Sequence, residues 1–595
     1  MNLEAIYHID DIPYAFAVRS DAIKVRIRAK RGEVARARVL HSDRYVPYGH
    51  EVPLELELAA STGAHDYFEG LIETMTFRVR YLFLLEDAEG QALWYGERGA
   101  SVHRDKAGLF QFPYLNPSNV HEVPDWIHDA VVYQIFPERF CNGDTSNDPA
   151  QTEAWSPEAR PRPDSWYGGD LAGIRQKLPY LHDLGVNLIY LTPVFLSPST
   201  HKYDISDYLQ VDPQFGDMEL LRTLVAEAHA LGIRVMLDAV FNHSSNEFFA
   251  FRDLVEKGEN SSYRQWYYAD RFPVTEEPEA NYLTFATGIK TMPKLRASDA
   301  GLAQYLLEVA AYWIRETGID GWRLDVANEV DMGFWRGFRQ TVKAVKPDAL
   351  IIGEIMHHAG PWLRGDQFDG VMNYVLREAL VDFFAKQAIG VREFSSRLAL
   401  NRMMHSDAAN QAMFNLIGSH DTDRFLTLCE RHGLGWNDKL YAVERLRLAI
   451  FFLMTYTGMP MIYYGDEVGM RGGYDPDCRR PMVWEEEAQD RELFGFFRTM
   501  IALRRRHRAL RRGTFRSWLE EEALGVLGYI RDDGTDLVLA VMNHSPNPVE
   551  LELDLPAGRL DGGKLTDALS GAVYAPAARQ VLTLPPFGCV LLVET

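Results

Sequence analysis

The chain has 595 residues and is 47% hydrophobic, 12% aromatic and 25% charged, with a formal net charge of −22. That length exceeds what one core usually holds and calls for several domains. The acidic balance speaks against a nucleic-acid partner, which needs a basic face, and leaves a neutral substrate unaffected. The four cysteines, Cys141, Cys429, Cys478 and Cys589, form no C-x-x-C pair and suggest neither a zinc cluster nor a disulfide framework.

The N-terminus, "MNLEAIYHIDDIPYAF", lacks a basic start followed by an apolar run. No apolar run approaches the ~18 residues of a membrane span. The expectation is a soluble cytoplasmic protein with no membrane partner. Residues 1–122 alternate in period two: "IKVRIRAK", "VPLELELAA", "TFRVRYLFLLED" and "QALWYGE" read as strands of an antiparallel β-sandwich. "FPYLNPSNVHEVPDW" (112–126) reads as a linker.

Residues 123–509 change character. Short apolar strands are expected at "AVVYQIF" (130–136), "VNLIYLTP" (186–193), "VMLDAV" (235–240), "GWRLDV" (321–326), "LIIGEI" (350–355), "GVMNY" (370–374), "FNLIGS" (414–419) and "MIYYGDE" (461–467). Amphipathic helices fit between them, such as "DMELLRTLVAEAHALG" and "LAQYLLEVAAYWIRETG". Eight strands alternating with helices predict a (β/α)8 TIM barrel. The third connection is too long for a βα loop, so a subdomain inserted after the third strand is expected at about 244–300. Over 510–595 alternation returns in "GVLGYIRDD", "DLVLAVMNHS", "VELELDLP" and "RQVLTLPPFGCVLLVE", a second antiparallel β-sandwich. The basic run "RRRHRALRR" (504–512) is expected to cap and solvate the last barrel helix.

In such a barrel the active groups stand at the C-terminal ends of the strands. In "GWRLDVANEV", Arg323 and Asp325 share a strand face opposite Trp322 and Leu324. A structural ion pair would look the same. The other strand ends are polar too: Asp238, Asn242 and His243 on the third, Glu354 on the fifth, His420, Asp421 and Arg424 on the seventh. Carboxylates gathered at one mouth raise each other's pKa, which stability alone does not call for. A metal site using the histidines is conceivable, but Arg323 would oppose a cation. Glycoside hydrolysis suits the set better, since it needs one ionised carboxylate and one that keeps a proton. Arg323 is expected to depress the pKa of Asp325, and nearby carboxylates to raise that of Glu354.

The segments "DAVFNH", "GWRLDVANE", "GEI" and "FNLIGSHDTDR", in that order, resemble the signature segments of the α-amylase superfamily. "MPKL" (292–295), "GMPMIYYGDEVGM" (458–470), the "VANE" ending and the N-terminal β-domain resemble its neopullulanase, cyclomaltodextrinase and maltogenic amylase subgroup. The resemblance implies a retaining hydrolase of α-1,4-glucosidic bonds in cyclodextrins, maltodextrins and pullulan, with some transglycosylation. It makes Asp325 the nucleophile, Glu354 the general acid/base and Asp421 the third carboxylate, which grips sugar hydroxyls. Arg323, His243 and His420 match groups around the sugar at the cleavage point, Tyr203 an aromatic platform with His201 beside it, and Asp475 and Arg479 contacts further along. Tyr374 reads as a wall of the site.

"CNGDTSNDP" and "WYGGD" offer Asn142, Asp144, Asn147, Asp148, Gly168 and Asp170, oxygen donors suited to Ca²⁺. An Asx-rich turn gives the same pattern; the resemblance implies a structural Ca²⁺. It also implies a homodimer through the N-terminal domain, with "HSDRYVPYGH" (41–50) reaching the partner's site. One departure stands out. Many subgroup members carry Trp at the position of Met356, and a thioether stacks less specifically on a sugar face than an indole. The alternatives are a 4-α-glucanotransferase using the same covalent intermediate, and a non-catalytic carbohydrate-binding protein on the same fold.

Overall fold

The computed structural model describes residues 1–286, 288–432, 438–554, 564–574 and 579–594. Eight short strands make its centre: Val132–Ile135, Leu188–Leu191, Arg234–Ala239, Gly321–Leu324, Leu350–Gly353, Gly370–Val371, Phe414–Leu416 and Met459–Tyr463. Neighbours pair in parallel from the seventh strand through the eighth, first and onward to the sixth, and the parallel bridge Met372–Phe414 closes the ring. The period of two decides which side chains fill it. Trp322 packs outward toward Phe195, which stacks on Trp313 of helix Ala300–Thr317. Arg323 points inward and is fully buried. Below it the barrel is filled by apolar side chains, among them Val132, Leu188, Met236, Leu350, Ile352, Phe414 and Met461.

The segment after the third strand carries helix Phe249–Lys257 and folds back on the barrel mouth through the antiparallel bridge His243–Lys294. Phe251 packs edge-on against Tyr267 and Tyr282, and all three join the core that the barrel strands and helices share.

In the N-terminal domain, strand Val52–Ser61 serves both layers of the sandwich. Its first half pairs with Arg36–Ser42 and its second half with His65–Glu73, with an irregularity at Leu58 to Ala60. Ile23, Val25, Ile27, Phe68, Tyr81 and Phe83 fill the space between the layers. The domain is fastened to the barrel by the buried Arg26, whose Nη1 donates to Met403 O at 2.8 Å, and by the Lys24–Asp407 ion pair. The expected linker is anchored at both ends: Leu115 inserts into the N-terminal core, and Trp126 Nε1 donates to Asp348 O at 2.9 Å.

The C-terminal domain has a six-stranded sheet, led by Thr514–Glu521 at one edge, and a second sheet of Val549–Asp554 with Arg579–Leu584. Leu555 and Pro556, the end of "VELELDLP", lie outside the described residues.

The basic run 504–512 is solvated as expected at Arg505, Arg506 and Arg508, which are exposed, but not at Arg504. Arg504 is buried beneath the end of helix Arg491–Arg506, where its guanidinium donates to the carbonyls of Met454, Tyr456, Gly458 and Leu510. Burial pushes it down to about 9. Arg511 and Arg512 pair with Asp129 and Asp125, so the run stitches the last helix to the segment that enters the barrel. Sequence shows the charges but not the row of unpaired carbonyls that accepts one of them. Among the described residues, no helix is long and apolar enough to cross a membrane.

Candidate active site

Arg323 organises the mouth. Its Nη1 donates to Asp325 Oδ1 at 2.9 Å and to Asp238 Oδ2 at 2.9 Å, and its Nη2 pairs with Glu354. One guanidinium therefore binds three carboxyls from the third, fourth and fifth strands. The chain turns sharply after Asp325: Val326 adopts φ 43°, ψ 44°. A β-branched residue there is an outlier that costs about 1–3 kcal/mol. The turn has a use, because the Val326 N–H it presents donates to Glu354 Oε2 at 3.0 Å.

The charges do not balance. Burial pushes the Asp325 carboxyl well above its ordinary range; Arg323 pulls it down, and Glu354 and Asp238 push it up again. Arg323 depresses Asp325 as expected, but one cation faces three desolvated carboxyls, and burial outweighs it in the net direction. Glu354 also lies above its ordinary value, again chiefly through burial and against the pull of Arg323. The cluster titrates as a unit and retains a proton that an isolated carboxylate would have lost.

Asp421 has the opposite balance. Burial raises it, but His420, Arg479 and Arg323 more than reverse this, and it lies below the ordinary carboxylate value. Its side chain is 31% exposed, which turns it toward the open mouth. Arg479 Nη2 donates to Asp421 Oδ1 at 3.0 Å, and Arg479 Nη1 lies 2.9 Å from Asp475 Oδ1.

The aromatic and imidazole groups form a chain beside these acids. Gln134 Nε2 donates to His420 Nδ1 at 2.8 Å, which places the His420 proton on Nε2. His420 Nε2 lies 2.8 Å from the Tyr203 hydroxyl, and that hydroxyl donates to Asp238 Oδ2 at 2.9 Å. The rings of Tyr203 and His420 are parallel with centroids 5.4 Å apart, and His201 flanks Tyr203. His243 Nε2 meets Tyr203 O at 3.1 Å. Burial lowers His201 to about 4 and both His243 and His420 to about 3, so all three are neutral hydrogen-bonding groups at ordinary pH. Tyr374 begins a helix after the sixth strand; its hydroxyl contacts Ser419 Oγ at 3.2 Å, and its electrostatic neighbours are Glu354 and Asp421. Met356 is 55% exposed just beyond Glu354.

The structure adds residues that sequence reasoning did not assign to the site. Tyr190 donates to Asp238 at 2.7 Å, and Gln134 orients His420. A lone Gln inside the apolar "VVYQIF" was the available signal. Phe285 stacks on His243 with centroids 4.6 Å apart; it comes from the inserted segment, where no spacing marks it.

The six oxygen-bearing residues after the first strand come together only in part. Asp170 caps helix Leu171–Gln176 and accepts from the N–H groups of Gly143, Asp144 and Gly173. Asp144 accepts from Ser146. Asn142 donates to Asp148, while Asn142 Oδ1 and Asn147 Oδ1 are buried without partners. Gly168, at φ 78°, packs where a Cβ would lie 2.3 Å from Asp148 Oδ1. Among the described residues no three His, Cys, Asp or Glu side chains gather into a metal-binding group, although Asp144, Asp148 and Asp170 stand in this segment beside the amides of Asn142 and Asn147. The orphaned oxygens and the glycine cradle fit a hard cation.

Residues 134–513 match the model of the α-amylase catalytic domain, residues 1–116 that of the α-amylase N-terminal Ig-like domain, and residues 515–591 that of the maltogenic amylase C-terminal domain. Neopullulanase 2 of Thermoactinomyces vulgaris is 49% identical over 595 residues, covering 100% of this chain and 99% of the relative. The intracellular maltogenic amylase of Bacillus subtilis is 41% identical over 86% of this chain and 85% of its own length. A solved cyclomaltodextrinase structure, 40% identical, superposes with a TM-score of 0.93 over 100% of both chains. The (β/α)8 barrel with its two β-domains, the strand-end carboxyls and these likenesses establish the chain as a member of the α-amylase family, a glycoside hydrolase of the cyclomaltodextrinase, neopullulanase and maltogenic amylase type.

Proposed function

We propose that the protein cleaves α-1,4-glucosidic bonds of cyclodextrins and maltodextrins with retention of configuration, through a glycosyl ester on Asp325. The observation that carries this reading is that Asp325 and Glu354 share one guanidinium. Two carboxyls so bridged stand close, as retaining enzymes require, whereas inverting enzymes leave room for a water between them. In this scheme Asp325 attacks the anomeric carbon as the carboxylate. Glu354, held above its ordinary value by burial, gives its proton to the leaving oxygen and then takes one from water. Asp421, kept ionised, holds sugar hydroxyls, and Tyr203 with Phe285 supplies ring faces against which sugars lie. Transfer to a sugar acceptor in place of water uses the same intermediate. Side-by-side assays of β-cyclodextrin, pullulan and soluble starch test the substrate: the reading expects cyclodextrin to be cleaved fastest, and starch as the best substrate would refute it.

A structural Ca²⁺ completes the proposal. Asn142, Asp144, Asn147, Asp148, Gly168 and Asp170 would hold it, and it would tie the loop after the first strand to the segment before helix Leu171–Gln176. We also infer a homodimer. Tyr45 and Met75 are 76% and 92% exposed on the N-terminal domain, Arg78 stacks on Tyr45, and the exposed Phe77 and Tyr114 pack on each other, which leaves several large apolar groups outward. Work in the cytoplasm is supported by the relative named as intracellular.

A further inference from the structure

One arginine of the seventh strand-end touches none of the catalytic carboxyls. Arg424 is fully buried and precedes helix Phe425–Arg431. Its Nε donates to Cys478 O at 3.0 Å, and its Nη1 donates to Tyr464 O at 2.7 Å and to Asp466 Oδ1 at 2.9 Å. Its backbone N–H donates to Gly472 O at 3.1 Å. The Tyr463 and Tyr464 rings lie 4.4 and 4.9 Å from the guanidinium carbon. Every one of these partners belongs to the end of the eighth strand or the loop that follows it.

That loop carries Arg479, which reaches back the other way. Arg479 Nε donates to His420 O at 2.7 Å and its Nη2 to Asp421, while Cys478 Sγ donates to the same His420 carbonyl at 3.1 Å. The two loops are thus tied twice, by Arg424 at depth and by Arg479 at the mouth. Residues 478 and 479 belong to both ties: the carbonyl that Arg424 holds is the one directly before Arg479.

We propose that Arg424 is a positioning residue: by clamping the carbonyls of Tyr464 and Cys478 it fixes the place of Arg479, and through Arg479 the place and charge of Asp421. This rests on the reading that Asp421 grips substrate as an ionised carboxylate. A planar fork with fixed donors suits the task, because Nε and Nη1 reach Cys478 and Tyr464 from two set points of one plane, where an ammonium would have to meet both from a single nitrogen. The charged and titratable groups facing Asp421 are His420, Arg479 and Arg323, with Glu354, Asp475, His201 and Tyr374 also in range. His420 is neutral, so Arg479 and Arg323 are the cations that hold Asp421 ionised. Displacing Arg479 removes one of them.

The test is Arg424→Met in the full chain, with kcat and KM for maltotriose measured across pH. Loss of kcat/KM by about tenfold or more is expected, carried by a rise in KM more than by a fall in kcat, because Asp421 holds the substrate. Arg424→Lys should recover little of the KM, since it restores the charge without the fork. Should the Met variant not accumulate as folded protein, the Lys variant alone decides, since it keeps the charge and loses the fork. A folded variant with lowered melting temperature but an unchanged KM would overturn the proposal. Asp421→Asn separates the two readings: if it works as well as the native enzyme, the role given to Asp421 fails; if it is inactive and Arg424→Met keeps the native KM, only the role given to Arg424 fails.

Discussion

Arg323 shows how one residue sets the protonation of a whole site. It is the only cation in direct contact with Asp238, Asp325 and Glu354 among the described residues, and its single charge leaves their burial undercompensated. The sign of the consequence follows. The general acid works protonated, and both Asp325 and Glu354 are raised, so the basic limb of kcat/KM should lie above the ordinary carboxylate value. Glu354→Gln should abolish that limb and lower turnover of unactivated glucans by about a hundredfold or more, read from a pH-rate profile. No limb near the ordinary histidine value should come from His201, His243 or His420, since burial holds all three at about 4 or below. At this scale the sequence was most legible where residue type and strand-end position coincide: Asp325, Glu354, Asp421 and the histidines could be named from motifs. It was silent on the left-handed backbone at Val326, because a valine carries no mark of the conformation that the surrounding barrel imposes on it.

Among elements, the barrel strands were readable because each is a short apolar run with a polar end, and burial on both sides leaves few other ways to place such a run. The insertion after the third strand was readable only as excess length. Its contribution to the site, Phe285 against His243, depends on how a loop of no fixed period folds back. The burial of Arg504 within the basic run 504–512 is hidden for a related reason: the ends of neighbouring elements offer carbonyls as well as solvent, and Arg504 takes four of them. Arg504→Met should leave those carbonyls unpaired and cost about 3 kcal/mol or more, measured by denaturant unfolding, with the active-site pH profile unchanged. The loop after the first strand makes a second prediction. If Ca²⁺ binds only the folded state there, chelation should lower the melting temperature more than it lowers turnover at low temperature. A melting curve that EDTA leaves unmoved would remove the ion from the account.

On the scale of the whole molecule, the N-terminal domain adds no group to the catalytic mouth of its own chain among the described residues. Arg26 and Lys24 fasten it to the segment around Met403 and Asp407. What it leaves outward is the surface of Tyr45, Met75, Phe77 and Tyr114. Its alternating strands were plain in the sequence; the face it would offer a partner was not, since alternation shows which residues turn outward but not which of them form one patch. Light scattering at micromolar concentration should give a dimer, and Met75→Glu with Tyr45→Ala should shift it toward monomer and raise the ratio of starch to cyclodextrin activity. A monomeric native protein would refute the assembly. Everything else rests on the chemistry at Asp325, and the stereochemical course tests that most directly. Proton NMR of fresh product from β-cyclodextrin should show the α-anomer first, with the β-anomer growing in only by mutarotation; a β-anomer appearing first would contradict the account.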